Sequence, residues 1–352
     1  MHKTLLFSLI LFIGINVHGQ SLDQAISEFV KQHHFNGNIH VVQGDSVMFS
    51  SSFGLANIEF EVSNEINTRF RIASVTKLFT SVLIYQLVEQ KKIKLDGTIS
   101  NYLPSYTGEG KGEVTIHQLL TSTSGIEDLE KNGDEVYEKR LTSDQILNEY
   151  CSGALQSKPG SRFNYNNADF IILGKILEEI YEKDYTEILT DNILKPLEMN
   201  DTGLMNYEPV KYLSQCYWYN EEAGKLENDI PSFVENYYAS GAMYSSVSDL
   251  LKFSDALYDH QLISEKVLNT LLTPQNGVED SDNYASGLWV YEFDVPNGSK
   301  HKAASRQGNI WGAEAMLLKI FDKEITIVIL SNNIGDVGMW DLIWTIKRAV
   351  YG

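Results

Sequence analysis

Ser74 and Lys77 stand three residues apart in the stretch Arg71-Ile72-Ala73-Ser74-Val75-Thr76-Lys77-Leu78-Phe79-Thr80. In a helical turn, that spacing puts a hydroxyl and an amine on one face, within reach of each other. A neutral lysine placed so can take the serine proton, which turns a poor nucleophile into a good one. The N-terminal end of a helix reinforces this, because its dipole disfavours an ammonium and favours an oxyanion. A lone Ser-x-x-Lys fits equally well an N-capping serine beside an exposed lysine. The chain holds a second one, Ser299-Lys300-His301-Lys302, in a polar stretch with no helical run behind it.

Other residues could complete a site. Tyr165-Asn166-Asn167 is the single Tyr-x-Asn of the chain and follows Pro159-Gly160-Ser161-Arg162-Phe163. A phenol near a lysine can relay a proton. An amide such as Asn167 can donate to a substrate carbonyl and accept from a substrate N–H. A buried tyrosine and a helix-capping asparagine would explain the same letters. Arg306-Gln307-Gly308 ends a predicted strand. Arg306 could hold a carboxylate through two parallel hydrogen bonds. Gly308 would let a substrate approach the backbone closely, and the N–H groups of Asn309 and Ser74 could form an oxyanion hole. An exposed edge-strand arginine beside a turn is the alternative.

The elements that must position these residues can be read from periodicity. Thr68 to Ile72 is extended, and Leu78, Phe79, Val82, Leu83, Leu87 and Val88 follow at helical spacing, which predicts a helix burying one face. Leu22 to Val30 predicts an amphipathic helix. Asn38–Gln43 and Ser46–Ser51 predict a hairpin across Gly44-Asp45. From about residue 92 the pattern turns helical: 143–150, 168–181 and 185–194, with Ser246 capping another helix to about Tyr258. Strands return over 284–293, 302–307, 313–321 and 325–332, and an apolar-faced helix closes the chain over 340–350. Strands at both ends and helices between predict one antiparallel sheet built from the two ends, with a helical region inserted. Ser74 would lie at the seam, where clefts form.

Composition narrows the class. The chain has 352 residues and 43% hydrophobic content, as expected of a globular protein large enough for a substantial core. Lys3 followed by the apolar run Leu5–Ile15 reads as a secretory signal too short to span a bilayer, with Val17-His18-Gly19 before the cut. An uncleaved membrane anchor is the alternative reading. Losing residues 1–19 removes Lys3 and no acid, so the net charge moves from −19 to −20. That field argues against nucleic acid and anionic lipid as partners. The expected mature protein is exported, periplasmic or secreted, without a stable membrane anchor. Cys151 and Cys216 could pair in an oxidising compartment or remain separate buried thiols. No Cys/His cluster has zinc spacing, so no metal and no cofactor is implied.

The pieces together resemble the serine beta-lactamase and penicillin-binding-protein superfamily, in its class C, DD-carboxypeptidase and esterase branch. Ser74-Val75-Thr76-Lys77 is similar to the first motif. Tyr165-Asn166-Asn167, in its Pro-Gly-x-x-Phe-x-Tyr-x-Asn context, is similar to the second. Leu119-Leu120-Thr121-Ser122-Thr123-Ser124-Gly125-Ile126, Pro196 to Thr202 and Ser240 to Ser245 also match that branch, and the likeness runs from about residue 22 to the C-terminus.

The resemblance implies an α+β sandwich of the beta-lactamase/transpeptidase type. It would be a single domain over 20–352, made of an α/β lobe (about 20–91 and 240–352) and a mainly helical lobe (about 92–239). It implies a Ser74 acyl-enzyme, with Lys77 and Tyr165 managing protons, Asn167 orienting the substrate amide, and Ser74 and Asn309 N–H groups holding the oxyanion. Two positions depart from the branch. Arg306-Gln307-Gly308 replaces a usual Lys-Thr-Gly or His-x-Gly, and Ser122 replaces a frequent histidine. The first puts beta-lactam hydrolysis below D-amino-acid peptides, peptidoglycan fragments and small esters as the expected small-molecule or peptide substrate. The aromatics Tyr217-Trp218-Tyr219 and Tyr237-Tyr238 could line a cleft or fill the core. A reading from another class is a catalytically silent binding or sensor protein that keeps the fold. Oligomeric state is not specified by any of these features.

Overall fold

The structure is a computed structural model that describes residues 21–351 apart from 221, 276, 282, 296–297 and 335–337. The signal-like segment 1–19 lies outside the described residues.

Its frame is a six-stranded antiparallel sheet drawn from both ends of the chain. The strands are β1 (Gly37–Gln43), β2 (Ser46–Phe53), β3 (Trp289–Asp294), β4 (Lys300–Ile310), β5 (Ala313–Ile320) and β6 (Ile325–Ser331). Their spatial order is β3-β4-β5-β6-β1-β2. The closing pair β1 and β6 joins residue 37 to residue 331.

Both faces of the sheet are covered, which explains the near-continuous apolar runs of β5 and β6. Side chains alternate along a strand. Met316, Leu318, Ile327 and Ile329 therefore pack with Ile26 and Phe29 of α1 (Leu22–Gln32). Leu342, Ile343 and Ile346 of the C-terminal helix (Met339–Tyr351) pack there too. Leu317, Val328 and Leu330 face the other way, into a larger core.

That larger core surrounds α2 (Thr76–Glu89). Every residue from Thr76 to Tyr85 is buried, so α2 is wrapped on all sides where the sequence predicts one buried face. Beside it stand α4 (Asn167–Tyr181), on which α3 (Ser143–Tyr150) packs, and α5 (Val247–Tyr258), the last with Phe253 stacked 3.8 Å from Phe79. The predicted cap on α5 is present: Ser246 Oγ accepts from Asp249 N–H at 3.3 Å. The 185–194 segment starts as an α-helix, Tyr185–Leu189, and widens into a π-helical turn, Thr190–Leu194.

Several short pairings have no counterpart in the sequence reading. Phe70–Arg71 and Gly203–Leu204 flank Met243–Ser245 in a small antiparallel sheet. Tyr217–Asn220 pairs with Lys225–Asn228 and lies parallel to Asn333–Ile334. The strand predicted from Tyr284 begins only at Trp289, and β4 extends from Lys300 to Ile310, well past both predicted ends. Cys151 and Cys216 are separate buried thiols. Among the described residues, no helix is long and apolar enough to cross a membrane.

Candidate active site

Ser74 lies in a 3-10 turn, Ala73–Val75, immediately before α2. The turn is strained: Ala73 has φ +47°, a region that costs a residue with a Cβ about 1 kcal/mol. It is held from both sides. Ile72 N–H donates to Met243 O at 3.0 Å, and Thr76 Oγ1 donates to Ala73 O at 2.7 Å. Gly308 of β4 completes the clamp. A Cβ there would come within 2.2 Å of Ile72 O and 2.9 Å of Ser74 N. The close approach that this glycine permits is therefore to the turn carrying Ser74, where the sequence reading expected a substrate.

Lys77 follows in the first turn of α2. It is fully buried, and its Nζ donates to Ser74 Oγ (3.1 Å), Asn167 Oδ1 (2.6 Å) and Ser240 O (2.9 Å). Burial lowers its pKa, partly opposed by Tyr165 and reinforced by the Arg306 charge. Tyr165 OH donates to Ser74 Oγ at 2.7 Å. Burial raises the phenol, but Arg306 and then Lys77 outweigh it and bring it down to about 8. A half-buried hydroxyl thus touches an amine and a phenol whose pKa values are both displaced toward neutrality.

Asn167 opens α4, with both ends of its side-chain amide hydrogen-bonded. Oδ1 accepts from Lys77 while Nδ2 donates to Glu130 Oε1 at 3.1 Å, and its backbone N–H donates to Asp128 Oδ1 at 3.1 Å. Burial and then Glu130 raise the Asp128 carboxyl. The loop before α4 is tied to the preceding helix–turn at further points. Asn166 Nδ2 donates to Ile126 O at 2.5 Å, and Ser124 Oγ donates to Asp169 Oδ1 at 2.5 Å. Ser122, buried with φ +51°, belongs to that turn.

Arg306 is buried on an interior strand, not exposed at an edge. Its Nε donates to Ser74 O at 2.6 Å, and its Nη2 donates to Tyr165 OH. The guanidinium sits 5.2 Å from the rings of both Tyr165 and Trp289. With those two nitrogens occupied, the side chain does not present the free fork expected for a substrate carboxylate; Nη1 is buried without a partner among the described residues. Asn309 is exposed, and its Nδ2 donates to Glu314 Oε1 at 3.0 Å.

The structure thus gathers Ser74, Lys77, Tyr165, Asn167, Arg306 and Gly308 around one point. The sequence reading missed Asp128 and Glu130, the N-cap and first turn of a 3-10 helix, Leu129–Tyr137, that no spacing marks. Of the five aromatics singled out, Tyr237 stands beside the turn of Ser74. It stacks at 4.1 Å on Tyr137 and meets Trp311 edge-on at 6.0 Å, in a cluster packed on Ala73. Tyr217 instead braces the 58–59 segment through its hydroxyl.

The Beta-lactamase family profile matches residues 22–346. The chain belongs to that family. Similar proteins include the teichoic acid D-alanine hydrolase of Staphylococcus aureus, 27% identical over 266 residues, 75% of this chain. This chain spans 65% of that relative's length. A penicillin-binding protein of Bacillus subtilis is 26% identical over 90% of this chain and 71% of its own. The crystal structure of a penicillin-binding protein from Bacillus halodurans superposes with a TM-score of 0.77 at 27% identity, covering 94% of this chain and 99% of that one. The antiparallel sheet with helices on both faces is therefore the beta-lactamase/transpeptidase-like fold expected from the motifs.

Proposed function

We propose that this protein is an exported serine hydrolase that forms an acyl-enzyme through Ser74 on an ester or amide. The observation that carries the reading is the double contact of Ser74 Oγ, 3.1 Å from Lys77 Nζ and 2.7 Å from Tyr165 OH. In acylation, Ser74 Oγ bonds to the substrate carbonyl carbon while its proton passes to the Lys77–Tyr165 pair. The same pair returns a proton to the departing alcohol or amine, and water then releases the acyl group. Asn167, clamped by Glu130, fixes the Lys77 amine. The backbone N–H groups of Ser74 and Asn309 are assigned to the oxyanion. Export rests on the signal-like segment at 1–19.

Among substrates, D-aminoacyl esters and D-amino-acid peptides come first. A relative is named for hydrolysing D-alanine from teichoic acid, and a 2.6 Å bond ties Arg306 to the main chain of Ser74. Beta-lactams rank lower.

The test is mass spectrometry of the intact protein after incubation with small esters, D-alanyl esters, D-peptides and beta-lactams, with peptide mapping of any adduct. An adduct on the Ser74 peptide, absent in Ser74→Ala, supports the reading. A folded protein that carries no adduct on that peptide with any of them, or with a fluorophosphonate, is instead a silent binder.

A further inference from the structure

The second Ser-x-x-Lys of the sequence is not idle polar surface. Ser299 Oγ lies 2.8 Å from His301 Nε2, and His301 Nδ1 lies 2.5 Å from Asp322 Oδ2. The sheet itself creates this line. Ser299 immediately precedes β4, and residues two apart along an extended chain share a face. In the β4–β5 register Ala303 stands opposite Ile320, so two more residues bring position 301 opposite position 322, in the turn between β5 and β6. The imidazole is buried and held by its neighbours, with ring centroids 4.3 Å from Tyr351 and 5.7 Å from Phe293. Ser299 is exposed.

We propose that Ser299, His301 and Asp322 form a second nucleophilic serine site, independent of Ser74, that accepts acyl or phosphonyl groups from small activated donors. The geometry contains the three roles such chemistry needs: a hydroxyl, a base in contact with it, and a carboxylate that orients the base. With Nδ1–H donated to Asp322, the Nε2 lone pair faces the Ser299 hydroxyl. Attack on an aryl ester forms the Oγ–carbonyl carbon bond and moves the Oγ proton to Nε2. Breaking the carbonyl carbon–aryl oxygen bond releases a phenolate, which takes that proton, and water hydrolyses the acyl-serine with the same base. With a fluorophosphonate, the Oγ–P bond forms, the P–F bond breaks and fluoride leaves, while the proton passes through His301 to solvent. Because Ser299 is exposed, binding contributes little and the donor must be intrinsically reactive. The site lies roughly 23 Å along β4 from Arg306, at about 3.3 Å per residue, well away from Ser74.

The experiment uses the full-length Ser74→Ala protein treated with a fluorophosphonate and mapped by tandem mass spectrometry. The expected result is an adduct on Ser299, formed roughly 100-fold more slowly once His301→Gln is added. Asp322→Asn, a substitution at a half-exposed position, should slow it about tenfold or more with an unchanged melting temperature. Absence of an adduct on Ser299 in the Ser74→Ala protein, or an adduct formed equally fast in the His301→Gln and Asp322→Asn variants, overturns the site and shows the three residues to be a clip between hairpins. Neither outcome bears on Ser74, whose adduct is read on a different peptide in the wild type.

Discussion

Arg306 Nε donates a 2.6 Å hydrogen bond to the carbonyl oxygen of Ser74, across 232 positions of sequence. The arginine at the position of the third motif's usual lysine or histidine is thereby turned onto Ser74 and Tyr165, the proposed catalytic residues. Its charge also bears on Tyr165, which it helps to bring down to about 8. Removing the cation disfavours the phenolate. In wild type, kcat/KM for a neutral ester should rise with pH through about 8. In Arg306→Gln that limb should move upward, toward the ordinary phenol range near about 10. Arg306→Lys, which keeps the charge, should restore part of the shift. A pH–rate profile that is identical in all three proteins would disprove the coupling.

Lys77→Ala should fold and fail to turn over. Its Nζ is the shared donor to Ser74, Asn167 and Ser240. The loss leaves Asn167 Oδ1 and Ser240 O without that donor, while Ser74 Oγ keeps Tyr165; it costs about 1–3 kcal/mol of stability and removes roughly 10²–10⁴-fold in acylation. Circular dichroism and p-nitrophenyl acetate turnover read the two effects separately. Near wild-type turnover would remove Lys77 from the mechanism.

Gly308→Ala tests the clamp on the turn that carries Ser74, the proposed nucleophile. The added methyl would meet backbone atoms, Ile72 O at 2.2 Å and Ser74 N at 2.9 Å, which cannot rotate away. Forcing β4 and the Ser74 turn apart should cost about 1–3 kcal/mol. It should also lower kcat far more than it raises KM, because the hydroxyl is displaced from its partners. An active, equally stable variant would show that the turn tolerates the displacement.

Lys347 offers a pH-dependent stability test away from the site. It is buried, with Nζ 3.7 Å from the Phe293 ring and 4.7 Å from that of Trp344, and Nζ has no hydrogen-bonding partner among the described residues. Burial lowers its pKa to about 8. The unfolded chain keeps the ordinary value of about 10.4 and so binds the proton more tightly than the fold does. Stability from this residue therefore grows as pH rises from about 8 toward 10, and the full penalty, roughly 3 kcal/mol, applies below 8. Lys347→Met should be more stable than wild type at pH 7, by an advantage that shrinks by pH 9.5. Denaturant titrations at both pH values measure it, and a constant difference would refute the assignment.

Much of this arrangement was legible beforehand. Ser74 and Lys77 are one helical turn apart, the sheet strands alternate or run apolar, and Tyr165-Asn166-Asn167 sits before a strong helical pattern. The misreadings share a cause. The pairing of Phe70–Arg71 with Met243–Ser245 involves too few residues to leave a periodicity. The helix of Lys77 reads as one-sided because its polar residues, Thr76, Thr80 and Ser81, are buried too. Thr80 settles this by donating to Ala239 O at 2.7 Å, a partner that local pattern cannot reveal.

Residue order alone determined which chemical groups were available and the local geometry that brings Ser74 and Lys77 together, because a helical turn acts over a few residues. Only the tertiary structure decided what Arg306, Asn167 and Gly308 do. Their partners come from distant segments, and burial away from water makes each of those contacts strong enough to set a proton or hold a turn.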